Sequence, residues 1–130
     1  MQQVYDFLKK CGTYYLATCD GDRPRVRPFG TVDVFEGKLY FQTGKSKDVS
    51  KQIEKNANIE ISGMADGKWI RLCGEAIADD RVEAKAHMLN AYPELRAMYD
   101  EHDDNTIVYY LKNATAAICS FTDAPVMIRF

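Results

Sequence analysis

The sequence lacks a strong net charge, a long apolar run and the paired cysteines of a zinc or redox site. Its 130 residues contain 17 Lys and Arg against 19 Asp and Glu, a formal net charge of −2. Nucleic-acid-binding domains usually carry a strongly basic surface, so this balance argues against a nucleic-acid partner. No stretch approaches the roughly 18 consecutive apolar residues of a membrane-spanning helix. The sequence therefore predicts no membrane partner.

Cysteine and histidine are too few and too scattered to indicate metal chemistry. The four cysteines, at positions 11, 19, 73 and 119, form no Cys-x-x-Cys pair, and only two histidines are present. Neither a zinc site nor a thioredoxin-type redox pair is expected from such spacing. The first ten residues also lack the basic-then-apolar order of a signal peptide. We therefore expect a cytoplasmic protein with reduced thiols and no bound metal.

The length and composition are typical of one globular domain. Hydrophobic residues make up 46% of the chain and charged residues 28%, close to the averages for soluble domains. A chain of this length buries enough surface to hold a core without disulfides or metal ions. Since no linker or repeat divides the sequence, we expect a single domain over residues 1–130.

Short β-branched and aromatic runs separated by tight turns predict six or seven strands, with two or three helices among them. The predicted strands cover 13–19, 24–34, 39–43, 58–65, 68–78, 106–111 and 114–121, and the predicted helices cover 4–11, 46–56 and 81–92. Turns such as 20–22 are too short for parallel crossovers, so the pairing should be antiparallel. Closure would remove exposed edge strands. We expect a mainly β fold, a small barrel with flanking helices.

The near-neutral total hides a basic segment and an acidic one. Residues 23–55 contain eight basic and four acidic residues, whereas residues 79–104 contain three basic and eight acidic ones. In the basic segment Arg23, Arg25 and Arg27 alternate along a predicted strand, which places them on one face. That pattern fits a solvated strand face as well as an anion site. Pro28 cannot donate to a strand ladder, and Gly30 allows a ligand to approach the backbone closely.

A second basic element lies at the turn of residues 43–48, between a predicted strand and a predicted helix. A glycine turn that opens a helix presents unpaired backbone N–H groups, which suit a phosphate. Ser46 is equally suited to a simple helix N-cap. The Gly-Lys-Ser triplet is not a P-loop, because the first glycine of that motif would fall at Leu39. Together the two elements predict a phosphate held by Arg25 or Arg27 with Ser46 and Lys47.

A third element is the predicted strand that carries Trp69 and Arg71 on one face. The single tryptophan fits a barrel plug or a dimer contact better than a cofactor stack. No Ser-His-Asp or Cys-His set and no distinctive carboxylate pair is present. Hydrolysis by general acid–base catalysis is therefore not indicated, and no catalytic residue is assigned.

Three stretches, in this order, resemble the pyridoxamine 5′-phosphate oxidase-like flavoproteins. Ala17–Gly30 resembles their first hairpin, Gly37–Val49 their third strand and phosphate turn, and Trp69–Ala76 a later barrel strand. The resemblance implies an FMN-binding split barrel with the flavin at a homodimer interface. The residues that it implies for flavin binding are Arg25, Arg27, Ser46 and Lys47 at the phosphate, Pro28, Phe29 and Gly30 along the ring, Gln42 and Thr43 at its polar edge, and Met64, Trp69 and Arg71 from the partner subunit.

The resemblance implies an FMN-dependent oxidoreductase whose substrate the sequence does not name. The alternative is a non-catalytic flavin-binding or electron-transfer module, because no proton donor stands out. A deazaflavin or haem in the same barrel is a further alternative. Oxidation of pyridoxamine phosphate itself is not expected, because those enzymes carry a C-terminal Trp and Arg-Leu segment and this chain ends Met127-Ile128-Arg129-Phe130. A homodimer is expected, since 130 residues leave little room to enclose a three-ring cofactor.

Overall fold

The computed structural model describes residues 1–130, which form eight strands, three α-helices and one short 3-10 helix. The strands are β1 (Tyr14–Asp20), β2 (Arg23–Phe29), β3 (Asp33–Phe35), β4 (Lys38–Gly44), β5 (Asn58–Ala65), β6 (Lys68–Asp79), β7 (Thr106–Cys119) and β8 (Val126–Arg129). The helices are α1 (Gln2–Cys11), α2 (Asp48–Lys55) and α3 (Val82–Ala91), and the 3-10 helix covers Pro93–Ala97. The predicted mainly β fold with flanking helices is confirmed.

The strands form a single antiparallel sheet that is curled on itself. Their order is β2-β1-β5-β6-β7-β4-β3, with β8 paired to β7. Phe29 on β2, at one edge, contacts Phe41 on β4, next to the other edge, with ring centroids 5.6 Å apart. The two ends of the sheet therefore meet over the core without pairing. This arrangement is the split barrel that the family resemblance implied.

The strand predicted over 24–34 is wrong as one element, because the structure divides it into β2 and β3. The backbone N–H of Gln42 donates to Thr31 Oγ1 over 3.0 Å, and the Tyr14 hydroxyl donates to the Thr31 carbonyl. These bonds hold the chain between β2 and β3 in a conformation that does not continue the strand. The break places the end of β2 apart from β4, which opens the barrel at this point.

The strands predicted over 106–111 and 114–121 are one strand, β7. Two residues of β7, Asn113 and Ala114, oppose a single residue of β6, Gly74. Asn113 adopts a φ of 53°, and the extra residue forms a β-bulge. The bulge lets the strand continue through residues 112–113, a polar pair that is typical of a turn. A Cβ on Gly74 would lie 3.2 Å from the Ala114 Cα, so the close approach at the bulge favours glycine.

The core fills the inside of the curled sheet. Alternate residues of β5, such as Ile59 and Ile61, are buried while their neighbours are exposed, as expected for a sheet with one face in the core. Val4 and Leu8 of α1 close one end of the core. None of the helices has both the length and the apolar character needed to cross a bilayer.

Candidate functional site

The structure brings three of the predicted phosphate residues to one cleft between β2 and α2. This cleft, called the basic cleft below, has a volume of about 500 Å³. It is lined by Asp20, Arg25, Val26, Arg27, Lys47, Asp48, Val49 and Gln52. Three larger clefts, of about 530, 630 and 680 Å³, contain none of the predicted flavin residues. The basic cleft is therefore the candidate site.

The β1–β2 hairpin and the start of α2 position these side chains. Arg25 is paired with Thr18 across the hairpin and Arg27 with Leu16, so both arginines lie on the face that meets α2. Lys47 occupies the N-cap of α2, and no side chain caps this helix. The first turn of an α-helix leaves backbone N–H groups unpaired, and its dipole favours an anion there. The basic cleft thus combines side-chain cations with helix N–H donors.

Arg27 forms three hydrogen bonds to other residues of the chain. Its Nη1 donates to the Leu16 carbonyl over 3.2 Å and to Thr18 Oγ1 over 2.8 Å, and its Nη2 donates to Gln52 Oε1 over 2.8 Å. Burial lowers the pKa of Arg27, and the charge of Arg25 acts in the same direction. An arginine stays charged nonetheless. Arg27 therefore ties β1, β2 and α2 together and contributes a fixed positive charge to the wall of the cleft.

Arg25 and Lys47 keep donors available. Arg25 Nε lies 3.0 Å from Asp20 Oδ2, and the side chain is half-exposed, so this ion pair contributes little stability. Its two Nη groups form no hydrogen bond within the chain, and Lys47 forms no ion pair. Three cations and two carboxylates, those of Asp20 and Asp48, line the cleft. The remaining charge is positive, which suits an anion.

Gln52 belongs to the cleft, although the sequence analysis did not single it out. Its Oε1 accepts from both Thr18 Oγ1 and Arg27 Nη2. Two donors on the same atom identify that atom as the amide oxygen, so the Nε2 group points elsewhere and finds no acceptor in the chain. The one available signal was position, because Gln52 lies one helical turn after Asp48 and shares its face.

The fourth predicted phosphate residue, Ser46, lies outside the cleft lining. Its backbone N–H donates to Asn105 Oδ1 over 3.1 Å, which anchors the turn before α2. The expected N-cap role of Ser46 is not seen, because Lys47 occupies that position and no side-chain cap is present. Ser46 is exposed and is the residue immediately before Lys47.

The predicted ring-binding residues lie at the end of β2 and on β4, with different exposure. Pro28 and Gly30 are exposed. The Phe29 side chain packs into the core between Tyr14 and Phe41. Gln42 and Thr43 are buried, at 5% and 4% exposed, and Gln42 Nε2 donates to the Thr43 carbonyl over 3.2 Å. Within one chain, the β2 backbone is thus the accessible part of this predicted set.

Trp69 and Arg71 lie on the outer face of β6, three strands from β2. The Trp69 ring contacts Phe121 with centroids 5.0 Å apart, and Arg71 Nη2 lies 4.0 Å from Glu60 Oε2. Neither lines the basic cleft of its own chain. Large apolar side chains are exposed on β1, β5 and β8 and just after β7: Tyr15, Met64, Val126, Met127 and Phe121.

The curled sheet, its flanking helices and the gap between β2 and β4 define a split-barrel protein. Residues 1–104 match the family described as Pyridoxamine 5′-phosphate oxidase. The chain belongs to this family, which confirms the resemblance that the three sequence stretches indicated. No curated protein matches the chain.

Solved structures show how closely the fold is shared. A NimC/NimA family protein from Clostridium acetobutylicum is 44% identical with a TM-score of 0.97, and the match covers 100% of this chain and 92% of that one. A pyridoxamine 5′-phosphate oxidase-related, FMN binding protein from Nostoc punctiforme is 13% identical with a TM-score of 0.63, over 98% and 91% of the two chains. A heme binding protein from Mycobacterium smegmatis is 12% identical with a TM-score of 0.71, over 98% and 56%. The last two share the fold alone.

Proposed function

We propose that the protein is an FMN-dependent oxidoreductase that binds the FMN phosphate in the basic cleft. The observation that carries the proposal is the meeting of Arg25, Arg27 and Lys47 at the uncapped start of α2. A phosphate monoester carries a charge of about −1.5 to −2 and three acceptor oxygens. A cleft with cations, helix N–H groups and the free amide of Gln52 fits those oxygens. The choice of FMN is supported by the family and by the FMN binding neighbour.

The chain's residues divide into those that contact the phosphate and those that shape the cleft. Arg25 and Lys47 have unpaired donors, so they bind the phosphate oxygens. Arg27 uses three of its five N–H donors on Leu16, Thr18 and Gln52, so it holds α2 against the hairpin and adds its charge. When bound, FMN supplies the hydride or electron transfer, while the protein binds and orients it. The flavin ring lies along the accessible backbone of Pro28 to Gly30 in this proposal.

We infer that a second copy of the chain covers the outer face of β5 and β6 and completes the flavin site. Tyr15, Met64 and Phe121 are 52%, 66% and 88% exposed; Met64 on β5 lies opposite the half-buried Trp69, and the Phe121 ring contacts it. Contiguous apolar surface of this kind marks an interaction site in a folded protein. In such a homodimer Trp69 and Arg71 approach the flavin of the other subunit, a role that they cannot fill in their own chain.

The composition of the cleft bears on the alternatives. Its lining residues include no histidine, cysteine, methionine or tyrosine, which are the usual axial ligands of haem iron. This favours FMN over haem in the basic cleft. The same composition includes no histidine, the usual general acid or base of an enzyme site, which keeps a non-catalytic flavin-binding or electron-transfer module as the second candidate.

Cofactor analysis of the purified protein tests the proposal. Native mass spectrometry and the absorption spectrum should show FMN that is released on denaturation or taken up when added. A colourless protein that takes up no FMN would contradict the proposal. Bound haem or deazaflavin in the purified protein would also contradict it and would identify that molecule as the cofactor. Stopped-flow reoxidation of the reduced flavin by nicotinamide, quinone and nitro acceptors then separates the two candidates. Rapid turnover with one acceptor supports the oxidoreductase, whereas uniformly slow reoxidation supports the module.

A further inference from the structure

Another cleft lies on the opposite side of α2 from the basic cleft. It has a volume of about 530 Å³, and seven of its eleven lining residues are apolar. Ile53 and Ala57 on one wall face Ala78 and Ile107 on the other. Small-molecule sites in proteins typically have volumes of roughly 300–1,000 Å³ and mostly apolar walls with a few polar groups. This apolar cleft shares no lining residue with the basic cleft.

The polar part of the apolar cleft is a pair of buried hydroxyl groups. Ser50 Oγ on α2 and the Tyr109 hydroxyl on β7 form one hydrogen bond with each other. The two residues are only 6% and 5% exposed, and neither hydroxyl has another partner in the chain. Two hydroxyls carry two protons, and one mutual bond uses one of them. Whichever group donates, one O–H donor is left over in the lining of the cleft.

A buried donor without an acceptor costs free energy, so the remaining O–H favours a ligand that brings an acceptor. The charges around the cleft indicate the charge of that ligand. Asp80 pairs with Lys45 over 3.0 Å and with Lys85 over 2.8 Å, and Glu54 lines the same cleft. These two lysines and two carboxylates sum to zero, so neither an anion nor a cation is favoured over a neutral molecule.

We propose that the apolar cleft binds a compact, neutral, mostly apolar molecule that carries a carbonyl-type hydrogen-bond acceptor. The apolar body of the ligand packs against Ile53, Ala78 and Ile107, and its acceptor receives the remaining proton of the Ser50–Tyr109 pair. The site is separated from the basic cleft by α2, so ligand binding there does not require FMN to leave. The proposal stands independently of the function proposed above.

Three probe compounds of similar size test the ligand class. Acetophenone has the acceptor and no charge, ethylbenzene lacks the acceptor, and benzoate adds a negative charge. Titration of the purified protein, followed by amide chemical shifts in NMR, should shift Ala57, Ala78 and Ile107 with acetophenone. We expect acetophenone to bind about fivefold more tightly than either other probe, since one hydrogen bond is worth about 1 kcal/mol. Equal affinities, or shifts confined to the basic cleft, overturn the proposal.

Substitution of the hydroxyl pair gives a sharper test. Because either group can donate, Ser50→Ala and Tyr109→Phe should each keep one free O–H and retain the preference for acetophenone over ethylbenzene. The double variant should lose that preference. Tyr110→Phe is the matched control, because the neighbouring residue of a strand points to the opposite face. A double variant that keeps the preference contradicts the proposal. If the double variant does not fold, Ala78→Trp, which fills the cleft, should abolish binding of all three probes.

Discussion

The guanidinium of Arg27 on β2 donates to the side-chain oxygen of Gln52 on α2, with Nη2 and Oε1 2.8 Å apart. The hydroxyl of Thr18 on β1 bonds to both side chains. These contacts join β1, β2 and α2 beside the basic cleft. They also give Arg25 and Arg27, which lie on the same strand face, different hydrogen-bond partners. Arg27 is held by the protein, whereas Arg25 two residues earlier keeps donors for a ligand.

We predict that Arg25→Met and Lys47→Met each weaken FMN binding without unfolding the protein. A charge-assisted hydrogen bond contributes about 1.5–3 kcal/mol, so each single variant should lose roughly tenfold to a hundredfold in affinity. Fluorescence titration with FMN measures the loss. Riboflavin, which has no phosphate, provides the control ligand, and Lys68→Met at the start of β6 provides the control variant. Equal losses for riboflavin and FMN would place the phosphate elsewhere.

Arg27→Met should act on stability. The substitution removes three hydrogen bonds and leaves the Leu16 carbonyl without its side-chain donor, so we expect the free energy of unfolding to fall by about 1–3 kcal/mol. Urea denaturation of the apoprotein measures it. A double-mutant cycle with Gln52→Ala should show a coupling of about 0.5–3 kcal/mol. Additive effects of the two substitutions would mean that the Arg27–Gln52 contact carries no stability.

The outer face of β6 should control both assembly and flavin binding. Trp69→Glu or Phe121→Glu places a charge in the apolar surface on which we propose the second copy packs, and a buried unpaired charge is strongly unfavourable. We expect these variants to be folded monomers that have lost FMN, as measured by light scattering and flavin content. Val82→Glu, at an exposed apolar residue of α3, is the control. A monomeric variant with full FMN content would show that one chain suffices for the site.

Asp79 should make stability depend on acidity. Hydrogen bonds from Arg81 lower the pKa of this buried carboxyl from 3.8 to about 2, and the Tyr40 hydroxyl acts in the same direction. A depressed folded-state pKa stabilises the fold above the unfolded value and loses that effect as the pH falls towards 2, here by about 2 kcal/mol. The difference in unfolding free energy between the wild type and Asp79→Asn should therefore shrink by this amount between pH 5 and 2. Asp123→Asn, at an exposed site, should show no such change, and a constant difference for Asp79→Asn would contradict the assignment.

A side chain at Gly63 on β5 should be unfavourable while Cys11 is present. A Cβ at this position would lie 2.9 Å from Cys11 Sγ and 3.3 Å from Tyr14 Cβ. Gly63→Ala should therefore destabilise the protein by about 1–3 kcal/mol through overpacking, measured by urea denaturation. Adding Cys11→Ala should restore part of the loss, because the contact with Tyr14 persists. Equal stabilities of Gly63→Ala with and without Cys11→Ala would rule out the clash with Sγ.

Local sequence determined most of the strands. β5 begins and ends at the predicted bounds, 58 and 65, because the tight turn that ends it is a local feature of the sequence. Two boundaries failed for non-local reasons. The break after β2 depends on Thr31 bonding to Gln42 of another strand, and the continuity of β7 depends on Gly74 accepting a bulge opposite Asn113. Neither partner is adjacent in the chain, so no local pattern shows it.

The candidate site divides in the same way. By itself the sequence determined that Arg25 and Arg27 share a strand face and that a helix opens behind Lys47, because strand periodicity and a glycine break are local properties. The tertiary structure alone decided that these elements meet at one cleft, that Gln52 occupies two donors there, and that Ser46 stays outside it. The alternation of side chains along a strand places Arg25 and Arg27 on the same face and so predicts the same role for both. The packing of α2 against the sheet makes the two arginines different. Gln52 of α2 accepts a hydrogen bond from Arg27 and none from Arg25, which keeps its Nη donors for a ligand.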